Sequence, residues 1–396
     1  MRARIVLILG LLLLHNLLLA GCSSQEQAPQ TPHAPPPPPK PEPVVIEIAA
    51  VGDFLMHMPV INAAWNDEID NYDFASQLRD VRKFLEEPDL TIANLETRLA
   101  GRDNGGYSGY PLFNCPEQLA YDMKKVGIDV VTTANNHSLD RGFAGLVTTL
   151  NHLEEAGLHA VGNYRTPEER QPLVVEVQGI SLGILNYTES TNGIPIPQGK
   201  EYAIDMIDLD LIAADLATLK ELEVDVILVC LHFGEEYQRH PNNRQRELID
   251  NIFDLGADLI FGNHPHVIQP MEKRTVNRHG EEEVFVIYSL GNFISNQDWQ
   301  YSDSGIILNV KLEKDLEENK TRILEVDYVP TWVHKYYQNG KYHYRVVPVE
   351  KAIKDYEQQC DNTINADHYR RLKEVWQETT SHLTVEEQNI YPRPVH

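Results

Sequence analysis

The chain has 396 residues, 42% of them hydrophobic, which is enough for one large or two ordinary globular domains. Its formal net charge is −25 at pH 7, from 59 acidic and 34 basic residues. Without a compensating basic block, this charge argues against a nucleic-acid-binding surface and a polybasic membrane patch, because both need clustered lysine and arginine. It would also repel an anionic polymer unless cations lie in the binding site.

Residues 1–21 have the layout of a secretory signal peptide, with Arg2 and Arg4, an apolar run from Ile5 and small residues before Cys22. The apolar run is short for a membrane span, which favours cleavage over a transmembrane anchor. Residues 19–22 (LAGC) resemble the lipobox of bacterial lipoproteins. The resemblance implies lipidation of Cys22 and anchoring on the extracytoplasmic face of the cell membrane. A plain signal peptide with a chance cysteine is the alternative.

Composition divides the rest of the chain into four segments. Residues 22–44 form a proline-rich tether that predicts a stiff, extended spacer. Residues 45–300 alternate between strand-like and helix-like patterns, which predicts an α/β domain with parallel strands in its middle. Residues 301–350 are strand-rich, and we expect them to complete the same sandwich as a further sheet layer. A helical tail is predicted over residues 351–396.

Hydrophobic periodicity and turn residues predict the elements of the central region. In chain order these are a strand over 44–53, a helix over 74–87, a strand over 89–96, a helix over 116–126, a strand over 127–137, a helix over 141–157, two strands over 172–188, a helix over 209–222, a strand over 224–237, a helix over 243–255, and strands over 257–261 and 283–293. Because ligands in open α/β sheets bind beyond the carboxyl ends of strands, residues at those ends are expected to share one cleft.

Residues that can bind metal or carry protons recur at the predicted strand ends. They are Asp53; Asn94 and Glu96; Asn135, Asn136 and His137; His232 and Glu236; His264 and His266; and Ser289 and Asn292. Each alone could be a helix cap, a turn residue or a core histidine, but the recurrence favours a joint site. Carboxylate, carboxamide and imidazole together suit Mn, Fe or Zn, and the lack of cysteine argues against structural zinc. Pro265 stiffens the loop that carries two of the imidazoles.

Six segments make a resemblance to a known family clear. They occur in the order VGDFLMH, ANLET, GIDVVTTANNHSLDRG, LHFGEEY, GNHPHVIQ and YSLGNF. Over about residues 46–296 the chain resembles the CapA family of bacterial poly-γ-glutamate capsule proteins, whose fold is similar to that of calcineurin-like metallophosphoesterases. The resemblance implies a layered α/β-β/α sandwich with a strand-rich C-terminal part. It also implies a role in synthesis, export or anchoring of poly-γ-glutamate.

The metallophosphoesterase pattern implies a role for each matching residue. The implied metal ligands are Asp53, Glu96, Asn136, His232, His264 and His266. His137 would donate a proton to the leaving group. Candidate supporting residues around this set are His57, Asn94, Asn135, Asp140, Glu236, Ser289 and Asn292.

The sequence departs from that pattern in three places. The usual Asp-x-His spacing is stretched to Asp53 and His57. Glu96 stands where a bridging aspartate is usual. Ser138 stands where an acid is expected, with Asp140 displaced by two positions.

The resulting prediction is metal-assisted hydrolysis of an amide or ester in an anionic cell-surface polymer. A divalent metal ion (Mn, Zn or Fe) would activate water near neutral pH and supply the local positive charge that the acidic chain lacks. The alternative is a non-enzymatic subunit that binds and exports the polymer within a membrane synthase complex, and a metallophosphatase is a third candidate. The expected partners are poly-γ-glutamate, the membrane through the lipid anchor, and such a synthase complex, but no nucleic acid.

Overall fold

Two β-sheets packed face to face form the centre of the protein, and helices cover their outer faces. The computed structural model describes residues 41–278 and 280–395. The predicted signal peptide, Cys22 and the predicted tether up to residue 40 lie outside the described residues. None of the helices within the described ranges has the length and apolar character needed to cross a membrane.

The strands vary widely in length. In chain order they are β1 (Val44–Phe54), β2 (Trp65–Asn66), β3 (Asn71–Tyr72), β4 (Leu90–Asn94), β5 (Val130–Thr132), β6 (His159–Val161), β7 (Leu173–Val177), β8 (Ile180–Thr188), β9 (Val226–His232), β10 (Leu259–Asn263), β11 (Ile268–Asn277), β12 (Glu281–Leu290), β13 (Asn292–Ile294), β14 (Ser304–Asp315), β15 (Lys320–Gln338), β16 (Lys341–Pro348) and β17 (Tyr391–Pro392). The α-helices are α1 (Met58–Ala64), α2 (Arg82–Glu86), α3 (Gln118–Lys125), α4 (Gly142–Glu155), α5 (Leu209–Glu221), α6 (Asn243–Leu255), α7 (Val349–Glu357) and α8 (Ala366–Leu383).

The order of strands explains how distant parts of the chain meet. The first sheet has the order β16-β15-β14-β1-β4-β5-β6, with β13 beside β1 and β17 beside β15. The second has the order β11-β12-β10-β9-β8-β7. Strands β1, β4, β5 and β6 are parallel neighbours, and so are β8, β9, β10 and β12. Parallel neighbours end at the same edge, so each sheet gathers its carboxyl ends there.

Apolar side chains hold the layers together. Residues of both sheets, such as Ile48 of β1 and Leu228 of β9, form one buried cluster between them. A second cluster packs α3 and α4 on the first sheet, and a third packs α5 and α6 on the second. The layered α/β-β/α sandwich predicted from the sequence is confirmed. Strand β14 pairs antiparallel with β1, so the strands of residues 301–350 extend the first sheet.

Several predicted boundaries differ from the structure. The single helix predicted over residues 74–87 is wrong, because the segment is a 3₁₀ turn, Ala75–Leu78, followed by the five-residue α2. Its buried side chains at Phe74, Leu78, Val81 and Leu85 keep helical spacing, which is why the pattern predicted a helix. The Asp122 carboxylate accepts the backbone N–H of Phe74 at 2.7 Å and fixes a tight turn there. Helix α1 and strands β2, β3, β6 and β11 were not predicted.

Gly52 permits the two sheets to touch at the edge where their strands end. A Cβ at this position would lie 1.8 Å from the carbonyl oxygen of Gly291, which follows β12 of the second sheet. Directly after it, the N–H of Asp53 donates to that same oxygen at 3.1 Å. This close approach sets Asp53 opposite Asn292 in the pairing of β1 with β13.

We therefore expect Gly52→Ala to lower the free energy of unfolding by about 1–3 kcal/mol, since the methyl group can be accommodated only by moving backbone. Urea denaturation measures the change. The matched control is Gly157→Asn, because a Cβ at Gly157 meets nothing within 4 Å and asparagine tolerates its left-handed φ of 78°. Equal stability of Gly52→Ala and the wild type would show that the two sheets are not held this closely.

Candidate functional site

The polar strand ends of the two sheets meet in one buried cluster. Asp53 lies near the end of β1, Asn94 ends β4 of the same sheet, and His232 ends β9 of the other sheet. The Nδ2 of Asn94 donates to the Oδ1 of Asp53 at 2.7 Å and lies 3.3 Å from the Nδ1 of His232. All three side chains are buried. The convergence expected from parallel strands is therefore present, and it joins two sheets.

Glu96 is the least satisfied group of this cluster. Both carboxylate oxygens are buried, and neither accepts a hydrogen bond from the described part of the chain. The nearest ring nitrogens are His232 Nε2 at 3.4 Å and His266 Nδ1 at 3.8 Å. Burial raises the pKa of Glu96 well above its ordinary value, and Asp53 adds to the rise while His266 opposes it. A carboxylate in this setting is destabilised unless a cation comes close.

The loop after β10 holds its two histidines in strained conformations. His264 has φ of 100° and His266 has φ of 58°, a region that residues with side chains seldom adopt. Pro265 lies between them, and its carbonyl accepts the N–H of Tyr237 at 2.8 Å. The buried Nδ1 of His264 has no hydrogen-bond partner among the described residues. Strain of this kind concentrates at binding sites, where surrounding contacts hold it in place.

The donor atoms are close enough to share a metal ion. Three overlapping triads have ligand atoms within 4.8 Å of one another, namely Glu96, His232 and His264; Asp53, Glu96 and His266; and Glu236, His264 and His266. The Oδ1 of Asn136 faces His232 Nε2 at 2.9 Å and adds a carboxamide oxygen. The unpartnered oxygens of Glu96 and Nδ1 of His264 are the atoms that a divalent cation would satisfy. This donor set fits Mn, Fe or Zn.

The three imidazoles of the cluster differ in pKa. Burial lowers the pKa of His232 to about 3 and lowers that of His264 well below its ordinary value, so both rings are neutral at pH 7. Burial also acts to lower the pKa of His266, but the charges of Glu96 and Asp53 outweigh it and raise the value to about 9. The pKa of Asp53 is lowered, because its contacts with His266 outweigh the effect of burial.

His137 turns its Nδ1 toward an acid of its own, Asp140. Its Nδ1 donates to the Oδ2 of Asp140 at 2.8 Å, and that oxygen also accepts the backbone N–H of Phe113 at 2.6 Å. The Phe113 ring packs edge-on against the imidazole with centroids 4.7 Å apart. No hydrogen bond joins Nε2 of His137 to the described residues. The displaced Asp140 thus orients His137, where the sequence pattern had led us to expect an acid at Ser138.

Two of the predicted supporting residues fix the backbone or rings around the cluster. The Oδ1 of Asn292 lies 3.1 Å from His266 Nδ1. Asn135 donates from Nδ2 to the carbonyl of Leu95 at 2.8 Å and accepts the N–H of His137 at 3.1 Å. These contacts tie the turn after β5 to the segment that carries Glu96.

Three further predicted supporting residues make no hydrogen bond to the candidate ligands within the described ranges. His57 belongs to none of the three triads, and its Nδ1 accepts the N–H of Asn296 at 3.3 Å. Glu236 is exposed and joins only the outermost triad. Ser289 is buried and accepts the N–H of Gly291 at 3.2 Å, with no hydrogen bond to a ligand residue in the described ranges.

Sequence reasoning did not identify three residues that shape the site. Asn263 pairs with His232 in the register of β10 and β9, and its buried Oδ1 has no partner among the described residues. Its place directly before His264 was a usable signal. Arg98 is buried, and its guanidinium donates to the carbonyl of Leu95 at 3.1 Å. Phe113 comes from a distant loop, and nothing in the sequence pointed to it.

A family model matches this chain. The model is described as "Bacterial capsule synthesis protein PGA_cap", and it matches residues 47–297. Among curated relatives, the chain is 27% identical to "Capsule biosynthesis protein CapA" of Bacillus anthracis over 71% of this chain and 66% of that protein. It is 29% identical to "PGA biosynthesis protein CapA" of Bacillus subtilis over 49% of each. The matches thus span about two thirds and one half of these relatives' lengths.

Solved structures give more distant similarities. One is a phosphatase of Mycoplasma pneumoniae, at 16% identity and a TM-score of 0.40 over 73% of this chain and 94% of that one. Another is an NAD nucleotidase of Haemophilus influenzae, at 12% identity and a TM-score of 0.44 over 89% of this chain and 65% of that one.

If His264 is a ligand, removing its ring should lower metal affinity by more than about tenfold. The variant His264→Gly suits the left-handed φ of 100° and contributes no replacement ligand. The matched control is Gln359→Gly, since Gln359 has φ of 56° at an exposed position after α7. Metal titration followed by elemental analysis makes the comparison. Unchanged affinity in His264→Gly would exclude a ligand role.

Loading the site at pH 7 should release about one proton per metal ion. The Nδ1 of His266 lies 3.1 Å from each of two acceptors, Asp53 Oδ2 and Asn292 Oδ1, which stabilise the protonated ring, and that ring must lose a proton before it can bind metal. With a pKa of about 9, metal-free His266 is protonated at pH 7, and the release should shrink as the starting pH approaches 9. Calorimetry in buffers of different ionisation enthalpy measures it. A buffer-independent heat at pH 7 would contradict a protonated His266.

Proposed function

The chain belongs to the bacterial capsule synthesis protein PGA_cap family, and from this premise we propose that it is a metal-dependent hydrolase acting on the capsule polymer poly-γ-glutamate. The names of the Bacillus relatives, which refer to capsule and PGA biosynthesis, support this polymer. Poly-γ-glutamate carries one carboxylate per residue on an amide backbone. It therefore offers both an anion for a metal to bind and a bond to hydrolyse.

The arrangement of His137 next to the metal-ligand cluster supports hydrolysis over binding alone. Asn136 turns its carboxamide into the cluster at 2.9 Å from His232, while the adjacent His137 turns to Asp140. A protein that only gripped carboxylates through metal would need the ligands but no oriented proton donor. Imidazole is the side chain most often used for proton transfer at neutral pH.

Each group has a distinct part in the proposed reaction. Asp53, Glu96, Asn136, His232, His264 and His266 would hold the divalent metal. When bound there, such a metal would supply Lewis-acid polarisation of a carbonyl and a lowered pKa of water. His137 donates the proton from Nε2 to the leaving nitrogen. Asp140 accepts from Nδ1 and sets the ring orientation, and the second proton of the imidazolium form then lies on Nε2, the donating atom.

The proposal also places the protein at the cell envelope. The lipobox-like residues 19–22 support lipidation of Cys22, and the proline-rich tether would hold the enzyme clear of the membrane surface. A polymer made at the membrane would meet the cleft on the outer side.

We expect His137→Asn to retain metal and slow turnover by roughly 10²–10⁴-fold, the range for loss of a general acid. Asp140→Asn should slow turnover by about 10–100-fold, because the ring loses its orienting carboxylate. Asn136→Ala is the contrasting variant, because it should weaken metal binding. The assay measures new amine ends released from purified poly-γ-glutamate, alongside metal stoichiometry.

Three outcomes of this assay discriminate among the candidates. Loss of metal in His137→Asn as complete as in Asn136→Ala would refute the division of roles. A metal-loaded wild type that binds polymer without cleaving it would establish the binding and export subunit instead. Release of phosphate from simple esters, with no cleavage of polymer, would establish a metallophosphatase.

Attachment has its own test. Cys22→Ser should leave the protein unprocessed or release it from the membrane fraction, because the lipidated thiol is gone. Cell fractionation with labelling by a radioactive fatty acid measures both effects, and Cys360→Ser serves as the control for loss of an exposed cysteine. Normal processing and lipid label in Cys22→Ser would refute the lipoprotein assignment.

A further inference from the structure

The hairpin of β15 and β16 carries a surface whose composition contrasts with the rest of the chain. No acidic residue lies between Asp327 and Glu350, in a protein with 59 acidic and 34 basic residues. The tip of the hairpin over residues 335–344 reads KYYQNGKYHY, with two lysines and four tyrosines. Asn339 and Gly340 form the turn, with φ of 53° and 82°.

Pairing across the hairpin places its aromatic and basic side chains on one face. Lys335 lies opposite Tyr344, and Tyr337 lies opposite Tyr342. Because side chains alternate along a strand, these four share a face. The rings of Tyr337 and Tyr342 meet edge-on with centroids 5.1 Å apart, and these two side chains are 64% and 55% exposed. Tyrosines left this open to solvent leave their faces free for a ligand.

Lys335 connects this face to the cluster of candidate metal ligands around Glu96, hereafter the metal cleft. Its Nζ lies 5.2 Å and 5.5 Å from the ring centroids of Tyr342 and Tyr344, and it donates to the Oδ1 of Asn296 at 3.1 Å. Asn296 in turn donates its N–H to His57 at the edge of the site. The same Asn296 Oδ1 accepts the hydroxyl of Tyr344. Asn296 thus links Lys335 of the hairpin to His57 at the edge of the site.

We propose that this face, made of Lys335, Tyr337, Tyr342 and Tyr344, binds the stretch of an acidic polyamide chain that extends beyond the metal cleft. The inference rests on the proposed function and specifies how that site takes a long substrate. Lys335 would pair with a carboxylate of the polymer, and the tyrosine rings would pack on its methylene and amide groups. The acid-free hairpin complements a polyanion that the rest of the chain, with its net charge of −25, repels.

Length is the property that this surface would select. Tyr337 lies two residues beyond Lys335 along β15, about 7 Å farther from the cleft. We therefore expect a chain of about ten residues, which spans up to ~30 Å when extended, to gain contacts with the exposed tyrosines that a ligand of one or two glutamates does not make.

The test compares binding of poly-γ-glutamate fragments of about ten residues with binding of γ-glutamyl dipeptide to the full-length, metal-loaded protein. Lys335→Gln keeps a side chain that can bond Asn296 but removes the charge, and the double variant Tyr337→Ala, Tyr342→Ala removes the exposed rings. Each should weaken binding of the long fragment by roughly 3- to 10-fold, with the metal content unchanged. Lys335→Gln should also flatten the dependence of affinity on salt.

Lys373→Ala is the matched control, because Lys373 lies over the ring of Tyr369 at 4.5 Å on α8 and is exposed. It should bind the long fragment like the wild type. Equal affinity of all variants for the long fragment, or equal loss for fragment and dipeptide, would overturn the inference. Binding of an uncharged polysaccharide that the tyrosine variant abolishes, with no binding of polyglutamate, would overturn it in favour of a carbohydrate surface.

These readouts separate the hairpin from the hydrolase. If the hairpin variants lose long-fragment affinity while the wild type cleaves nothing, the surface is supported and the hydrolase proposal fails. If the wild type cleaves the polymer and the hairpin variants bind it normally, the hydrolase is supported and the surface is refuted.

Discussion

The buried carboxylate of Glu96 is the constraint around which the site is built. An ionised carboxyl group without hydrogen-bond donors is destabilised by several kcal/mol unless a cation compensates it. Here neither oxygen accepts a hydrogen bond from the described residues. The nearest nitrogens belong to imidazoles, which are themselves common metal-binding groups. The surrounding fold makes this arrangement rigid. A divalent metal would resolve the desolvation of Glu96 and of His264 at the same time.

The two-sheet architecture supplies that rigidity. The candidate ligands come from strand ends of both sheets, so their spacing depends on how closely the sheets approach at one edge. Gly52 allows the contact with Gly291, and Asn94 joins the two sets of ligands through Asp53 and His232. The strained loop that carries His264 and His266 is also held by the hydrogen bond from the backbone N–H of Tyr237 to the carbonyl of Pro265. In a site assembled this way, the fold loses some stability because the positions of the candidate ligands are kept fixed.

Electrostatics links the local site to the charge of the whole chain. A protein of net charge −25 has no general affinity for a polyanion, so attraction must come from a few places. The metal cleft would be one, and the acid-free hairpin with Lys335 is proposed as the other. His137 and Asp140 stand beside the first, where a carbonyl carbon could be attacked and its amine protonated. The same geometry separates the candidate metal ligands from His137, the proposed proton donor.

Much of the fold and of the candidate site could be predicted from the sequence, because strands and helices with regular hydrophobic spacing leave a strong signal. Helix α6 begins and ends where the pattern put it, and the polar residues at the ends of β1, β4, β9 and β10 identified the cleft. The break in the segment 74–87 could not be predicted, since it depends on the carboxylate of Asp122, far along the chain. The packing of Phe113 on His137 is equally non-local. The hydrogen bond between His137 and Asp140 could have been predicted, because a three-residue spacing suits a turn.

The most direct test of a metal held by Glu96 is anomalous diffraction from crystals of the full-length protein grown with Mn²⁺. If Glu96 holds a metal, a strong anomalous peak should lie about 2.0–2.3 Å from a Glu96 oxygen and within coordination distance of His232 or His264. A Glu96 carboxyl group that is instead hydrogen-bonded to ordered water, with no anomalous peak in the cleft at saturating Mn²⁺, would contradict it.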